Sequence, residues 1–352
     1  MKTKILISFF SFLIVFIISL IFFINFEKQK VVSENIIASP INTPVVVEEN
    51  KINIFVAGDI MLDRQVRKRI KQFGSDYIFA STTEVIKNAD ISIANLEGVI
   101  TNFDSVSAKD RNILRFTFDP TVSETLKNVG FDALSQANNH NNDFGLDGIK
   151  QSYDFLRVSN LKPFGDYFNH DDKVATFEKN GFKIVFISWN EFGGKVDRIL
   201  ELIDQYKSEA YYVIVMPHSG IEYEHYPTTL QKTNFRKMID RGADIIVGTH
   251  PHVVESLEIY QNRPIFYSLG NFIFDQNFSY DTTHAITLKI VRSENKGILK
   301  EKIIIMPIAI QDSSPSFEEG NEKQKMLDFL ASISDVSLKE QIEKGEIDLN
   351  NN

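Results

Sequence analysis

The sequence contains no cysteine among its 352 residues. Disulfide bonds, thiolate metal ligands, cysteine nucleophiles and lipid anchors attached to cysteine are therefore excluded. Cysteine-free chains occur on both sides of bacterial membranes, so this absence does not locate the protein.

Acidic residues outnumber basic ones, 47 to 38. The formal net charge is −9 at pH 7, and no stripe of lysine and arginine runs along the sequence. Such an acidic chain has no means of holding nucleic acid by counterion release, so we expect no nucleic-acid partner. The glycine-rich phosphate loop, the GxSxG nucleophile elbow and a GxGxxG motif after a strand are absent as well, which argues against three large enzyme classes.

One long uncharged stretch runs from Ile5 to Ile24 and is interrupted only by three serines. A helix of about twenty residues spans roughly 30 Å, the thickness of the bilayer hydrocarbon. Lys2 and Lys4 precede the stretch, which favours a cytoplasmic N-terminus. A cleaved signal peptide is the alternative, but its apolar region is shorter, about 7–15 residues. We predict an uncleaved, single-pass anchor in the cell membrane, with the main domain on the outer side.

From Lys51 onward, short apolar runs alternate with amphipathic stretches, which predicts a layered α/β domain. The predicted strands are Ile52–Ala57, Ile91–Ala94, Ala133–Ser135, Lys183–Ser188, Tyr211–Met216, Asp244–Val247, Ile265–Ser268 and a final hairpin of Ala285–Val291 and Ile298–Met306. The predicted helices are Gln65–Phe73, Ser81–Asn88, Pro120–Val129, Leu146–Ser159, Asp197–Ser208 and Thr228–Arg241.

The predicted organisation has four parts. They are the transmembrane anchor at residues 1–26, a polar linker at 27–50, the α/β domain at 51–312 and a polar, helical C-terminal tail at 313–352. We expect the helices of the tail, from Glu318 onward, to be solvated.

Side chains that commonly bind metals follow five of the predicted strands. They are Asp59, Glu97, the Asn138-Asn139-His140 run, His218, and the pair His250 and His252. Each motif alone has an ordinary structural explanation, because such residues are common in turns and a lone buried histidine is usually part of a core. However, four of the seven histidines lie in these segments. Since strand ends converge on one crevice in open α/β sheets, we predict a shared site at the edge of one sheet.

Imidazole and carboxylate ligands together favour Mn, Fe or Zn over Ca or Mg. Glu97 has two oxygens that can bridge two ions. Side chains two residues apart on an extended segment point to the same side, and Pro251 favours an extended backbone at His250. His250 and His252 would then face one centre. The residues predict two divalent ions, ~3.5–4 Å apart, that activate water at a phosphoryl group.

In combination and order, the motifs resemble the bacterial capsule-synthesis proteins of the poly-γ-glutamate CapA/PgsA type. These proteins form a branch of the calcineurin-like metallophosphoesterase superfamily. The resemblance extends over residues 52–310. The matching segments are Gly58–Arg64, Asn95–Gly98, Ala137–His140, His218–Tyr223, Gly242–Val253 and Tyr267–Gln276.

The resemblance implies a fold and a role for each residue. The fold would be a layered, metallophosphoesterase-like β-sandwich flanked by helices. The implied metal ligands are Asp59, Glu97 as the bridge, Asn139, His218 and His250 at the second ion, and His252 at the first. His140 would be the catalytic acid or would hold the phosphoryl group.

The resemblance also suggests pocket residues and one missing ligand. Arg64, Asn138 and Glu222 would line a substrate pocket, although Arg64 and Glu222 could instead form an ion pair. Met61 stands where the wider superfamily has a ligand histidine. A thioether is a poor ligand for a hard divalent ion, so the first metal position would be weakened.

Two functions remain open on the sequence. The first is a metal-dependent hydrolase that acts on a phosphoester or related bond in a surface polymer or its precursor. The second is a non-catalytic scaffold or export component that keeps the fold. In both, the partners would be the membrane and other membrane proteins of a polymer synthesis or export complex.

Overall fold

The computed structural model describes residues 16–28, 50–169 and 174–349. The chain divides into two units, Met1–Glu48 and Glu49–Asn352. In the first unit, residues 16–28 form helix α1, whose apolar side chains are exposed. Within the described residues, no helix is both long enough and apolar enough to cross a membrane. Residues 5–15 of the predicted span and residues 29–49 of the predicted linker lie outside the described part.

The second unit contains two large β-sheets. The first sheet has nine strands in the order β16-β15-β14-β1-β2-β5-β6, with β13 paired to β1 and β17 paired to β15. Its strands are β1 Asn50–Ile60, β2 Ile91–Leu96, β5 Ala133–Ser135, β6 Lys162–Phe164, β13 Asn271–Ile273, β14 His284–Asn295, β15 Ile298–Gln311, β16 Ser314–Phe317 and β17 Glu346–Asp348. Strands β1, β2, β5 and β6 are parallel, whereas β14 and β15 form the predicted antiparallel hairpin.

The second sheet has six strands in the order β11-β12-β10-β9-β8-β7. They are β7 Ala175–Lys179, β8 Phe182–Asn190, β9 Tyr212–His218, β10 Ile245–Val247, β11 Leu257–Tyr260 and β12 Arg263–Phe266. Its four central strands are parallel. A separate two-stranded ribbon consists of β3 Val99–Ile100 and β4 Thr117–Phe118.

The two sheets pack against each other through one apolar core. Successive residues of β8 show this clearly, because side chains alternate between the two faces of a strand. Ile184 and Phe186 belong to the core shared with the first sheet, whereas Val185 and Ile187 pack on the opposite face with the neighbouring helices. Both faces of the second sheet are therefore buried, which explains why its parallel strands are continuous apolar runs.

Helices cover the outer faces of the sheets. They are α2 Arg64–Phe73, α3 Ser75–Phe79, α4 Thr83–Lys87, α5 Thr121–Asn128, α6 Gly145–Val158, α7 Asp197–Ser208, α8 Thr229–Asp240, α9 Tyr280–Thr283, α10 Gly320–Ile333 and α11 Lys339–Glu343. Each predicted helix and strand overlaps an observed one. The prediction of a mixed α/β fold is confirmed. A capping box between Thr228 and Gln231 starts α8, which explains its sharp N-terminus.

The C-terminal segment is helical, as expected, but the expectation that it is solvated was wrong. Met326, Leu327 and Leu330 of α10 are buried in the shared core. Strand β17 then pairs with β15 through Ile347, which is 1% exposed. The apolar residues of the segment are therefore buried against the α/β unit, and β17 adds a strand to the first sheet.

Candidate metal centre

The candidate site lies where strands of both sheets end, rather than at the edge of one sheet as the sequence suggested. Asp59 lies near the end of β1, and Glu97 directly follows β2. His218 ends β9 in the second sheet, and a bridge to Thr249 aligns it with the segment after β10. The packing of the two sheets brings these strand ends together, so residues far apart in the chain meet.

Asp59, Glu97 and His218 are the centre of the cluster. Each is fully buried and offers a ligand atom within 4.8 Å of the others. His252 joins them, because its Nδ1 lies 3.7 Å from Asp59 Oδ2 and its Nε2 lies 3.7 Å from Glu97 Oε1. A buried group of carboxylates and imidazoles at these distances is an arrangement that can bind a metal ion.

His218 connects this centre to two further predicted ligands. Its Nε2 lies 3.0 Å from Asn139 Oδ1 and 3.2 Å from His250 Nδ1. On the other side of the ring, Nδ1 lies 3.0 Å from the hydroxyl of Thr249. All six residues that were predicted as ligands therefore lie in one continuous cluster. Their assignment to a first and a second ion stays a prediction.

His250 and His252 reach the cluster by a different backbone from the one expected. The prediction of an extended segment around Pro251 was wrong, because φ is +102° at His250 and +62° at His252. Such values are unfavourable for side chains with a Cβ atom, and they occur where the surrounding structure enforces them. Phe192 packs on His250, with 4.5 Å between the ring centroids, and His252 contacts Asn271. These contacts hold both imidazoles in the cluster despite the unfavourable backbone.

Glu97 is the least satisfied polar side chain of the cluster. Its side chain is fully buried, and neither oxygen accepts a hydrogen bond from any residue that the structure describes. A buried carboxylate without donors is costly unless a positive group balances it. Burial, and then the neighbouring charges of Asp59 and Glu222, raise the pKa of Glu97 well above its usual value. A bound divalent ion would reverse this effect by stabilising the charged form.

The other ionisable groups of the cluster respond to burial in the same way. Burial raises the pKa of Asp59 to about 7, against the opposing effect of hydrogen bonds from Asn95 and the His250 backbone. Burial lowers the pKa of His250 to about 4, and it lowers those of His218 and His252 well below 6.5. The imidazoles are therefore neutral at physiological pH, which is the form that binds metals.

His140 lies at the open side of the cluster. Its Nε2 is 3.9 Å from Glu97 Oε1, and its Nδ1 is 2.9 Å from Asp143 Oδ2. The ring also packs on Phe116, with 4.2 Å between the centroids. Asp143 thus orients the imidazole, as carboxylates do for functional histidines, and leaves Nε2 directed at the cluster. Its predicted catalytic role is compatible with this position.

The three predicted pocket residues lie in different surroundings. Arg64 and Glu222 line a pocket of about 230 Å³ together with His140 and His252. Arg64 forms an ion pair with Asp275 instead of Glu222. Asn138 is fully buried and points inward, where its amide donates to Asn95 Oδ1 and to the Leu96 carbonyl. Asn138 therefore positions its neighbours instead of lining this pocket.

Sequence reasoning missed three residues that hold the cluster in place. Asn95 donates to Asp59 Oδ1 at 2.7 Å, Thr249 contacts His218, and Asn271 Oδ1 lies 3.0 Å from His252 Nδ1. Asn271 lies in the matching segment Tyr267–Gln276, to which no ligand role was assigned, and it begins β13 beside Asp59. Asn95 and Thr249 stand just before the predicted ligands Glu97 and His250 in the sequence, whereas Asn271 has no predicted ligand near it.

Met61 is buried in the apolar core, and its sulfur accepts the backbone N–H of Asp63 at 3.0 Å. Its side chain is thus engaged in the turn before α2.

Two packed sheets with a buried carboxylate–histidine cluster at their strand ends define an α/β protein with a candidate metal site. Comparison with known proteins gives the family. The profile of the bacterial capsule synthesis protein PGA_cap family matches residues 53–276, so the chain belongs to this family. The predicted membership of the capsule-synthesis proteins is confirmed.

Relatives extend the similarity beyond the matched segment. The capsule biosynthesis protein CapA of Bacillus anthracis is 33% identical over 294 residues, which cover 76% of this chain and 70% of that protein. The PGA biosynthesis protein CapA of Bacillus subtilis (strain 168) is 31% identical over 289 residues, covering 77% and 75%. Among solved structures, TT1561 of Thermus thermophilus covers 69% of this chain and 98% of its own, with 9% identity and a TM-score of 0.38, too low to support a functional conclusion.

Proposed function

We propose that this protein is a membrane-anchored hydrolase of surface-polymer synthesis that uses divalent metal ions to cleave a phosphoester or related bond. The observation that carries the proposal is the pair of buried Glu97 oxygens without a hydrogen-bond donor. The imidazoles of His218, His250 and His252 in the same cluster are neutral, so they supply no positive charge to balance this carboxylate, and a metal would supply it. The relatives named for capsule and PGA biosynthesis support a capsule or poly-γ-glutamate-type polymer.

The chain's own residues divide the work of such a reaction. Asp59, Glu97, Asn139, His218, His250 and His252 would hold two ions, of Mn, Fe or Zn type, with Glu97 between them. Bound ions of this kind activate water and stabilise negative charge on the substrate oxygens. His140, oriented by Asp143, would donate a proton from Nε2 to the leaving oxygen. Asn95, Thr249 and Asn271 would keep the ligands oriented.

The proposed location rests on the uncharged N-terminal stretch. The helix would cross the cell membrane once, with its N-terminus in the cytoplasm and the α/β domain outside the membrane. Other membrane proteins of a polymer synthesis or export complex would be its partners. Nucleic acid is not among them, since the chain is acidic.

Metal content and hydrolysis, measured on the same preparation, test the proposal. We expect the full-length protein, purified in detergent, to contain about two divalent ions per chain and to hydrolyse bis(p-nitrophenyl) phosphate. Glu97→Gln should lose metal and activity together. Glu255→Gln is the matched control, because Glu255 is also a buried glutamate with one oxygen unpartnered among the described residues, but it lies outside the cluster.

His140→Ala separates metal binding from proton transfer. We expect this variant to keep its metal and to lose activity by about 100-fold or more. A wild-type protein without metal, or equal metal retention by Glu97→Gln and Glu255→Gln, would contradict the proposal.

The second candidate function is a non-catalytic component of the same polymer system. Met61 favours it, because a thioether engaged with the Asp63 backbone leaves the first metal position short of a ligand. Metal bound by the wild type without any hydrolysis, and unchanged polymer production by His140→Ala cells, would support this alternative.

A further inference from the structure

Two pockets beside the histidine cluster share a wall. The first, of about 230 Å³, reaches His140 and His252, and the second, of about 380 Å³, extends away along α2. Both are lined by the segment Phe274–Asn277 and by Arg111. The shared residues make the two pockets parts of one groove that leads from the cluster across the surface.

Two cations border this groove without a counter-ion. Arg111 is exposed, and it forms neither a hydrogen bond nor an ion pair with any residue in the described part of the chain. Lys68 of α2 is likewise free, at the second pocket. The other two arginines of the groove differ, because Arg64 is paired with Asp275 and Arg69 with Asp312. Asp275 and Asp312 are thereby engaged, whereas Glu222, which also lines the first pocket, forms no ion pair with Arg111 or Lys68. Arg111 and Lys68 therefore remain available to a ligand.

We propose that Arg111 binds an anionic group, a carboxylate or a phosphate, of an extended substrate whose reacting bond lies at the histidine cluster. Lys68 would contact a second anionic group further along the same substrate. This proposal rests on the proposed function, since it places the substrate of that site. A guanidinium suits the role because its planar donors bind carboxylate or phosphate in a bidentate manner.

The sizes of the pockets support an extended substrate. The first pocket is smaller than the roughly 300–1,000 Å³ of sites that enclose a whole drug-sized ligand. It therefore accommodates one unit of a substrate, and the remainder continues along the shared wall into the second pocket. Since the chain as a whole carries a net charge of −9, overall charge does not attract an anion, and the local cations must select it.

Binding of three oligomeric probes to the metal-loaded, full-length protein in detergent tests the assignment. The probes are a γ-linked pentaglutamate, inorganic triphosphate and a neutral pentaglutamine amide, measured by titration calorimetry. We expect the wild type to bind at least one anionic probe and to bind the neutral one more weakly. Arg111→Gln should weaken anionic binding by about tenfold, because a charge-assisted hydrogen-bond pair is lost. Lys68→Gln should weaken it by about two- to threefold.

Lys232→Gln is the control, because it removes one exposed positive charge from α8 without touching either pocket. Preference for pentaglutamate or for triphosphate identifies the anionic group as carboxylate or phosphate, and either supports the proposal. Equal affinities of Arg111→Gln and Lys232→Gln, or no anionic binding by the wild type, would overturn it. Metal content is read separately: Arg111→Gln should retain its metal, whereas a metal-free wild type would refute the proposed function and not the anion site.

Discussion

Glu97 and Asp59 are two acidic side chains whose burial opposes their charge. The pKa values of both groups are raised in the metal-free folded protein. As pH rises, the unfolded chain therefore loses these protons before the folded protein does. Burial has the opposite consequence for His250, whose lowered pKa makes the folded state release protons that the unfolded chain retains. In the metal-free protein, the carboxyl groups therefore lower the free energy of unfolding as pH rises, whereas His250 lowers it as pH falls. Removing one of these side chains should change the pH dependence of stability.

Asp59→Asn should change the pH dependence of stability in a defined direction. A carboxyl group whose pKa is about 7 when folded and near 3.8 when unfolded destabilises the metal-free protein progressively as pH rises through this interval. Between pH 5 and 7, the wild type should lose about 2–3 kcal/mol more of its unfolding free energy than Asp59→Asn. Denaturant unfolding in the presence of a chelator measures this difference.

An exposed carboxylate provides the comparison for this experiment. Asp154→Asn removes a charge from the surface of α6, where Asp154 pairs with Lys150. This variant should follow the wild-type pH dependence. If Asp59→Asn does so as well, Asp59 does not have the raised pKa.

The predicted ligands could be selected from the sequence because each lies shortly after the end of an apolar run. Such runs form strands, and strand ends converge. Asn95, Thr249 and Asn271 could not be assigned in this way, since their function depends on which side chain lies opposite them in the folded protein. The conformations of His250 and His252 were mispredicted for a related reason. Local preference favoured an extended backbone, but contacts with Phe192 and Asn271 prevail.

Strand β1 positions Asp59 in the site, and it pairs with three other strands, β2, β13 and β14. Gly58 allows β13 to approach closely: a Cβ atom at this position would lie 1.9 Å from the Gly270 carbonyl oxygen. The next residue, Asp59, donates its backbone N–H to that same oxygen at 3.2 Å. The location of Asp59 in the cluster thus depends on the absence of a side chain at residue 58.

Gly58→Ala should therefore separate β1 from β13. We expect the unfolding free energy to fall by about 1–3 kcal/mol, as is typical when extra atoms are forced into a packed core, and metal content to fall as Asp59 moves. Thermal unfolding and metal analysis on the same sample measure both effects. Gly194→Ala is the milder control, since its nearest atoms would be 3.3 Å away. Wild-type stability and metal content in Gly58→Ala would show that the close approach is not required.

The α/β unit and the N-terminal segment differ in how far their apolar side chains are buried. The α/β unit buries its own core, to which the C-terminal segment contributes Leu330 and Ile347. The apolar stretch Ile5–Ile24 has no comparable burial among its described residues, where Phe16 and Phe22 are 63% and 75% exposed. An exposed apolar helix needs a nonpolar environment, which is the physical basis for proposing a membrane anchor.

Deletion of residues 1–26 should release the protein from the membrane. We expect the full-length protein to sediment with membranes after a carbonate wash and the shortened protein to remain in the supernatant. Protease added to intact protoplasts should digest the α/β unit of the full-length protein, as its proposed location outside the membrane requires. A full-length protein found in the supernatant would refute the anchor, and resistance to protease would refute the orientation.

The pattern of apolar and polar residues was sufficient to predict the main elements and the mixed α/β class, because periodicity is a local property. It also selected candidate ligands by their position at strand ends, and their role as ligands stays a prediction. Strands β13 and β17 were not predicted, because they lie outside the regular alternation of strands and helices that identified the equally short β5, and each forms by pairing with a strand already present. Three features depend on the tertiary structure alone: the site lies between two sheets, and among the residues 16–28, 50–169 and 174–349 Arg111 has no ion-pair partner and Glu97 has no hydrogen-bond donor. These features depend on distances between residues far apart in the chain, which no local pattern encodes.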